Sequence, residues 1–328
     1  MQSRKTSADL WHQKPYYSLD AWCKNTYGRK LYKAALDIGC TCPNRDGTLD
    51  TRGCIFCSAG GSGDFAASRQ LSVTDQLNQA KALLSSKWTP EPGKPSLIAY
   101  FQAYTNTYGD PDRLLSCYEE ALSSPEVAGI SIATRPDCLS DIILEGLDRL
   151  RLLYPDRFIW IELGLQSIHD HTAARIRRGY PTSVFYDAAA KLHARRLPFI
   201  VHLILGLPGE TLLDLLESIR AVNQVHPFGV KLQLLHILKG TDLALLYEAG
   251  KLPVLTQEEY LDLLTSCIAA LSPDICLHRV TGDGPRQLLI APQWSLSKRN
   301  VLNGLHALMK QRNLRQGDNY EPGTSYTL

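Results

Sequence analysis

The sequence predicts an α/β fold, more specifically a partial (β/α)6 TIM-like barrel with short N-terminal and C-terminal extensions. Six short apolar or β-branched runs recur along the chain, and segments with helical periodicity lie between most of them. Near-continuous apolar strands that alternate with amphipathic helices are typical of a parallel sheet. Because only six strands are visible, an incomplete barrel is favoured over a closed eight-stranded one.

The six predicted strands are Lys33–Ile38, Ser96–Phe101, Gly129–Thr134, Phe158–Leu163, Phe199–Leu205 and Val230–Leu235. The clearest predicted helices are Leu71–Leu84, Asp112–Leu122, Leu139–Leu153, Ser183–Arg195 and Thr211–Val225. We expect three regions in the chain. They are a basic aromatic extension over residues 1–32, the barrel over 33–240, and a C-terminal helical and strand extension over 241–328 that packs on the barrel and contributes to substrate binding.

The composition is that of an ordinary globular protein, with 44% hydrophobic and 21% charged residues. No run approaches the roughly 18 apolar residues of a membrane span. The N-terminus lacks the apolar core of a secretory signal. We therefore expect a cytoplasmic protein with no membrane association. In that compartment clustered thiols indicate metal or redox chemistry more than disulfides.

Each predicted strand ends in a polar or glycine-bearing segment. In chain order these segments are DIGCTCPNRDG, QAYTNTYGD, ATRPDC, LGLQSIHD, LGLPGE and HILKGT. In barrels and open α/β sheets, ligands bind at the carboxyl ends of the strands. The six segments are therefore expected to line one shared site.

The first segment opens a glycine-rich loop that holds four of the nine cysteines. Cys42, Cys54 and Cys57 form the pattern C-x11-C-x2-C, and Cys40 is a possible fourth ligand. Cys40 and Cys42 flank one residue, so in an extended segment they point to opposite faces. Three ligands are therefore the more natural count, and they leave one iron of a 4Fe–4S cluster open. The spacing alone leaves an iron–sulfur cluster, a zinc ion and ordinary buried cysteines as alternatives.

Taken together, these segments resemble a radical S-adenosylmethionine (SAM) enzyme. Within that superfamily, the chain resembles most closely the bacterial YhcC/YtqA-like family, from about residue 16 to about residue 305. The motifs that carry this resemblance are TCPNRDGT…GCIFCSAGGSGDFA, AYFQAYTNTY, SIATRPDC, IELGLQS, LILGLPGE and LHILKGT. That family is related to the radical SAM module of the Elongator catalytic subunit. The resemblance implies a 4Fe–4S cluster on Cys42, Cys54 and Cys57, with SAM on the open iron and reductive cleavage of SAM to a 5′-deoxyadenosyl radical. Cys40 matches no ligand of the family.

The resemblance also implies which residues contact SAM, although it assigns no catalytic side chain. Where the superfamily has a Gly-Gly-Glu-like turn after the second strand, this chain has no glutamate. The candidates for SAM contacts are Gln102, Tyr104, Thr105, Thr134, Arg135, Gln166, Arg178, Leu205 and Gly206.

Two of the polar residues have alternative interpretations. Arg135 can bind SAM or form an ion pair with Asp137 or Asp141. Glu162 can accept a hydrogen bond from a SAM hydroxyl or be a satisfied core carboxylate. Arg178 is expected to pair with the SAM carboxylate, because a guanidinium binds a carboxylate bidentately.

Basic residues are concentrated at both ends of the chain. Residues 1–34 carry seven Lys/Arg and two Asp/Glu, and residues 284–317 carry six Lys/Arg and no acid. Aromatic residues are interleaved with these cations, a mixture that can stack unpaired bases and contact phosphates. A polyanion such as RNA is therefore a candidate partner.

The relationship to the Elongator catalytic subunit also indicates RNA, because Elongator is linked to the wobble uridine of tRNA. The resemblance implies remodelling of the C5 side chain of that base, for example carboxymethylaminomethyl to aminomethyl. It also implies a reducing electron donor such as flavodoxin or ferredoxin, and a methyltransferase acting downstream. Two alternatives remain, namely a radical SAM enzyme acting on a small metabolite or peptide, and a zinc-stabilised RNA-binding protein without catalysis.

Overall fold

The computed structural model of the protein describes residues 10–84, 94–282 and 284–322. In chain order the helices within these ranges are α1 (Leu19–Tyr27), α2 (Val73–Leu84), α3 (Pro111–Ser123), α4 (Asp141–Leu153), α5 (Asp170–Arg175), α6 (Thr182–Ala194), α7 (Leu212–Val225), α8 (Asp242–Glu248), α9 (Gln257–Ala270) and α10 (Lys298–Gln311). The strands are β1 (Tyr32–Leu36), β2 (Leu97–Phe101), β3 (Val127–Thr134), β4 (Phe158–Gln166), β5 (Phe199–Leu205), β6 (Gly229–Leu234), β7 (Ile237–Leu238), β8 (Cys276–Arg279) and β9 (Leu289–Ala291). None of the described helices is both long and apolar enough to cross a membrane.

The chain forms two compact units, each drawn from more than one stretch of sequence. The cysteine-loop unit comprises residues 29–164 and 177–199, and the terminal unit comprises residues 1–28, 165–176 and 200–328. The three-part division expected from the sequence stays a prediction.

The cysteine-loop unit is built on parallel strands in the order β1-β2-β3-β4. All five residues of β2 are buried, as expected for a strand covered on both faces. Helices α3 and α4 begin at side-chain caps, with Asp110 accepting from the Asp112 amide at 3.1 Å and Ser140 accepting from the Ile143 amide at 3.4 Å. These caps fix where each loop after a strand ends and the next helix starts.

The terminal unit contains the parallel strands β5, β6 and β8, together with an antiparallel pair formed by β7 and β9. Both ends of the described chain belong to this unit. Tyr17 donates its amide to Oε1 of Gln316 at 2.9 Å, and Gln316 donates through Nε2 to the carbonyls of Ser272 and Ile275 at 2.7 and 2.8 Å. The buried Gln316 side chain therefore joins the two ends of the chain to β8, which Ile275 precedes.

All six predicted strands are present, with ends within three residues of those expected, and the five predicted helices end within two residues. Strand β8 was not predicted, because its four residues, CLHR, are too few and too polar to show a period. The short helices α5 and α8 were missed for the same reason of length.

Candidate cofactor site

The cysteine loop follows β1 in the cysteine-loop unit and is folded by its own backbone hydrogen bonds. Cys42 accepts from the amides of Arg45 and Asp46 at 2.7 and 3.1 Å, which closes a tight turn. Asn44 then accepts from the Gly53 amide at 2.7 Å, and a second turn joins the Cys57 amide to the Cys54 carbonyl at 3.1 Å. This folding brings the three predicted ligands into electrostatic contact, because Cys42 is one of the charges that act on both other thiols.

The three cysteines are partly exposed, and cations lie close to their thiols. Burial raises the pKa of the Cys54 thiol to about 12, and Cys57 and Cys42 add to this increase. Burial also raises the pKa of the Cys57 thiol, while Arg45 opposes the rise. Arg45 is fixed there because its Nη2 donates to the carbonyls of Cys57 and Ser58 at 2.8 and 2.7 Å. Without a metal the thiols of Cys54 and Cys57 are therefore neutral, and metal binding must displace their protons.

An N–H group is directed at the sulfur of one predicted ligand, since Nη1 of Arg135 lies 3.8 Å from Sγ of Cys42. Nδ2 of Asn44 lies 3.6 Å from Sγ of Cys54, and it donates to the carbonyls of Arg177 and Arg178 at 2.8 and 3.1 Å. Sequence reasoning missed Asn44, although it is the second residue after Cys42 in the quoted motif. Hydrogen bonds to cluster sulfurs are a recognised determinant of cluster potential. The donor set therefore fits a thiolate-ligated cluster.

Arg135 is held in place by an ion pair with Asp137. Its Nε and Nη2 atoms donate to the two carboxylate oxygens at 2.9 and 2.7 Å, so Nη1 remains directed at Cys42. The guanidinium carbon also lies 4.9 Å from the centroid of the Tyr180 ring. Of the two interpretations of Arg135, the structure therefore contains the ion pair with Asp137, and contact with SAM stays a prediction.

Cys40 lies in a different environment from the other three cysteines of the loop. Burial raises its pKa to about 11, and the charges that act on it are Arg113, Asp37 and Cys117. Arg113 belongs to α3, and its Nη1 donates to the Ile38 carbonyl at 2.5 Å. Cys40 is therefore placed beside α3 rather than with the predicted ligands.

No three Cys, His, Asp or Glu side chains in the described ranges form a group that can hold one metal ion. A tetrahedral zinc site needs all of its ligands at roughly 2.0–2.3 Å from a single ion. A 4Fe–4S cluster instead gives each cysteine its own iron atom, so it accepts thiols that lie further apart. The arrangement of Cys42, Cys54 and Cys57 therefore fits a cluster better than it fits one zinc ion.

The turn after β2 attaches to the cysteine loop. Tyr104 has a φ of 60°, its amide donates to the Gly61 carbonyl at 2.8 Å, and its hydroxyl donates to the Ala59 carbonyl at 2.5 Å. Gln102 donates through Nε2 to the Ser62 carbonyl at 2.6 Å, and the Thr105 amide donates to Thr41 at 3.2 Å. These three SAM-contact candidates therefore also position the cysteine loop.

Thr134 and Arg178 make internal contacts in the same unit. The Thr134 hydroxyl lies 2.5 Å from that of Thr107. Arg178 is 2% exposed and donates to the Tyr180 carbonyl at 3.1 Å and to the Thr182 hydroxyl at 2.9 Å. Its guanidinium carbon lies 4.6 Å from the Tyr180 ring centroid. These contacts position the loop before α6, and contact of either residue with SAM stays a prediction.

Glu162 is fully buried in the cysteine-loop unit, and its carboxylate accepts hydrogen bonds from other residues of that unit. Oε1 accepts from the Ser131 hydroxyl at 2.6 Å and from Nζ of Lys33 at 3.1 Å. Nζ of Lys33 also lies 4.6 Å from the centroid of the Tyr100 ring. Glu162 is therefore a satisfied core carboxylate, the second of its two interpretations.

The other SAM-contact candidates belong to the terminal unit. Gln166, the last residue of β4, has a φ of 63°, and its buried Oε1 atom has no hydrogen-bond partner in the described structure. A buried acceptor without a partner is costly and indicates a missing ligand or water. Leu205 is buried at the end of β5, and Gly206 has a φ of 89°, where a Cβ atom would lie 2.9 Å from Leu255. Contact of Gln166, Leu205 and Gly206 with SAM stays a prediction.

A three-cysteine loop after the first strand of a parallel α/β fold is typical of radical SAM enzymes. The chain belongs to the Radical SAM superfamily. The model of that superfamily matches residues 42–222, and the model of the Radical_SAM C-terminal domain matches residues 227–311. As members of this superfamily are enzymes that use a 4Fe–4S cluster and SAM, the corresponding predictions are confirmed at the level of the family.

Individual relatives agree with this assignment. The chain is 40% identical to the uncharacterized protein YtqA of Bacillus subtilis over 93% of this chain and 92% of that protein. It is 36% identical to protein YhcC of Escherichia coli over 82% of this chain and 84% of that protein. The structure of archaeal Methanocaldococcus infernus Elp3 matches 87% of this chain and 64% of that chain, with a TM-score of 0.64 and 16% identity. The predicted family and the partial TIM-like barrel fold are confirmed.

Proposed function

We propose that this radical SAM enzyme acts on tRNA and remodels the C5 side chain of the wobble uridine. The observation that supports the radical chemistry is the set Cys42, Cys54 and Cys57, with an N–H donor of Arg135 on the sulfur of Cys42. When bound, the cluster and SAM supply a hydrogen-abstracting 5′-deoxyadenosyl radical. The protein's own contribution is to hold the cluster on three thiolates and to direct an N–H group at the sulfur of Cys42.

The residues around the cysteines have defined roles in this proposal. Arg135 stabilises negative charge on the Cys42 thiolate, because its Nη1 group points at that sulfur. Asn44 holds the cysteine loop against the carbonyls of Arg177 and Arg178. Asp137 positions Arg135, while Gln102 and Tyr104 hold the loop on the end of β2. Gln166 offers its unpaired Oε1 to a hydroxyl of SAM.

The choice of tRNA as substrate has two independent supports. Cations are concentrated at both ends of the chain, as a polyanion requires. The second support is the resemblance to the Elongator catalytic subunit, because Elongator is linked to the wobble uridine of tRNA. The proposal also includes a reducing donor such as flavodoxin or ferredoxin, a downstream methyltransferase and a cytoplasmic location.

Conversion of carboxymethylaminomethyl to aminomethyl is the specific reaction that we propose. Overall, the side chain and one water give the aminomethyl group and glyoxylate, while SAM becomes methionine and 5′-deoxyadenosine. SAM is the two-electron oxidant, and the atom oxidised is the CH2 carbon of the carboxymethyl group, next to the nitrogen. The reaction balances because the electron that starts the cleavage of SAM is returned when this carbon is oxidised. The C–N bond breaks when water adds to that oxidised carbon.

The test is reconstitution with iron and sulfide under anaerobic conditions, followed by addition of SAM, a reductant and tRNA bearing carboxymethylaminomethyluridine. We expect aminomethyluridine, glyoxylate and 5′-deoxyadenosine in equal amounts by mass spectrometry. Unmodified tRNA is the matched control and should yield no glyoxylate. Cleavage of SAM that is indifferent to tRNA, with no change in any nucleoside, would exclude the proposed substrate.

A further inference from the structure

A pocket in the terminal unit brings the two basic ends of the chain together. Its volume is about 360 Å³, and it lies between residues 13–15 and the C-terminal part of α10 with the segment that follows. The Gln316 amide donates to the Pro15 carbonyl at 2.9 Å, and Nε2 of His306 lies 3.2 Å from the Tyr16 hydroxyl. The two ends are thus fixed to each other around a single pocket.

Three cations line this pocket, namely Lys14, Lys310 and Arg315. Nζ of Lys14 is paired with Asp20 at 2.8 Å. Lys310 and Arg315 are exposed, and neither has an ion-pair partner within the described ranges. Arg315 is positioned instead by the Trp11 ring, whose centroid lies 5.7 Å from the guanidinium carbon. The pocket therefore presents two uncompensated positive charges, which favour an anionic ligand.

The remaining lining is partly apolar. Pro15, Met309 and Leu314 contribute to it, and Met309 is fully buried. Ligand pockets commonly begin at roughly 300 Å³. A cavity of this size with apolar walls and cations suits one nucleotide, because the base or ribose can contact the apolar walls while the phosphate meets the cations.

The backbone has positive φ on both sides of the pocket. His12 and Gln13 have φ values of 53° and 66°, which residues other than glycine rarely adopt. On the opposite side Asn313, with a φ of 51°, ends α10, and the Leu314 amide donates back to the Met309 carbonyl at 2.9 Å. Gln13 and Asn313 both line the cavity.

We propose that this pocket receives one nucleotide of an RNA chain and that Lys310 and Arg315 bind its phosphate. The inference rests on the proposed function only in taking tRNA as that RNA. According to this inference, the two basic ends form one RNA-binding site. The residues of that site are distant in sequence from the cysteine loop. The site adds affinity for the RNA backbone and carries no information about the base that is modified.

The test compares two double variants with the same change of net charge. Lys310→Ala with Arg315→Ala removes the uncompensated cations of the pocket. Arg220→Ala with Lys251→Ala removes two exposed cations that lie outside both basic stretches and do not line the pocket. Affinity for tRNA is measured by fluorescence anisotropy between 50 and 300 mM salt. We expect binding to be about tenfold weaker for the pocket variant, with the slope of log K against log salt reduced by roughly one, because the two cations neutralise one phosphate.

The control variant should stay within about twofold of the wild type, and thermal melts should show that both variants are folded. Equal losses in the two variants, or wild-type affinity in the pocket variant, would overturn the pocket. Nucleoside analysis keeps this result separate from the proposed function. If the pocket variant binds as the wild type and still forms aminomethyluridine, only the pocket proposal is wrong. If it loses tRNA affinity while the wild type changes no nucleoside, the pocket stands and the proposed reaction is wrong.

Discussion

Arg135 and Cys42 are joined by an N–H···S contact of 3.8 Å, and Asp137 holds the guanidinium in that position. In a cluster-loaded enzyme, this donor stabilises the more negative, reduced form of the cluster. The pair therefore connects the end of β3 to the first predicted ligand of the cluster.

Replacement of Arg135 is expected to make the cluster harder to reduce. For Arg135→Gln we predict a midpoint potential more negative by about 60 mV, equivalent to a tenfold change in a one-electron equilibrium. Electron paramagnetic resonance at controlled potentials measures this shift. Arg113→Gln is the matched control, because Arg113 lies beside Cys40 and should leave the potential unchanged. Equal shifts in both variants would contradict a specific contact with Cys42.

The cysteines of the loop are expected to differ in their effect on iron content. Cys54→Ala should abolish the absorbance near 400 nm and most of the bound iron, since one of three ligands is lost. Cys40→Ala should keep wild-type iron and sulfide after reconstitution, because its thiol lies beside Arg113 and Cys117. Chemical iron analysis and the visible spectrum decide this prediction, and loss of iron from the Cys40 variant would make Cys40 a ligand.

Loss of Gln166 is expected to weaken SAM binding without unfolding the protein. Its Oε1 atom has no partner in the described structure, so Gln166→Ala removes a contact made only to a ligand. We predict SAM affinity reduced about tenfold, from a hydrogen bond of roughly 1–1.5 kcal/mol. Equilibrium dialysis with the reconstituted protein measures it. Gln293→Ala is the control, because its side chain donates to the carbonyls of Leu289 and Ile290. Unchanged SAM affinity in Gln166→Ala would contradict the assignment.

Glu162 is expected to matter for folding. Glu162→Ala leaves Lys33 and Ser131 without their shared acceptor. Removal of one partner of a buried ion pair costs about 3 kcal/mol, and the partial exposure of Lys33 places the expected loss at the lower end of the usual range. Urea unfolding of the apoprotein measures this change. A Lys33→Met, Glu162→Leu double variant should recover part of the loss, and stability equal to wild type in Glu162→Ala would refute the structural role.

His306 is expected to make folding stability depend on pH. Burial and the nearby Lys14 lower the pKa of its imidazole below the ordinary 6.5. As the pH falls through 6.5, the unfolded chain takes up a proton that the folded protein resists, so stability decreases until the folded pKa is passed. The decrease in melting temperature from pH 7.5 to pH 5.5 should therefore be larger for the wild type than for His306→Gln. An identical decrease in both proteins would count against this prediction.

The sequence was sufficient to predict the elements that are long and periodic. Strand β2 and helix α4 show their patterns over several residues, and the alternation of an extended segment separates Cys40 from Cys42. The family and the parallel fold followed from local pattern and motif order, and the set of three ligands stays a prediction.

What could not be predicted depends on contacts between distant segments. Nothing in the sequence pairs Lys33 with Glu162, which are 129 positions apart, and Lys33 was counted instead among the cations of the N-terminal stretch. The position of Asn44 beside Cys54 likewise depends on how the loop turns. Side-chain networks of this kind form only when the tertiary fold brings their members together.

Gln316 joins separate segments of the terminal unit, and this has a consequence for biosynthesis. Its three side-chain hydrogen bonds form only after residue 316 has left the ribosome, whereas residues 29–199 emerge earlier. The part that carries the cysteines is therefore available to acquire its iron while the terminal unit is still incomplete.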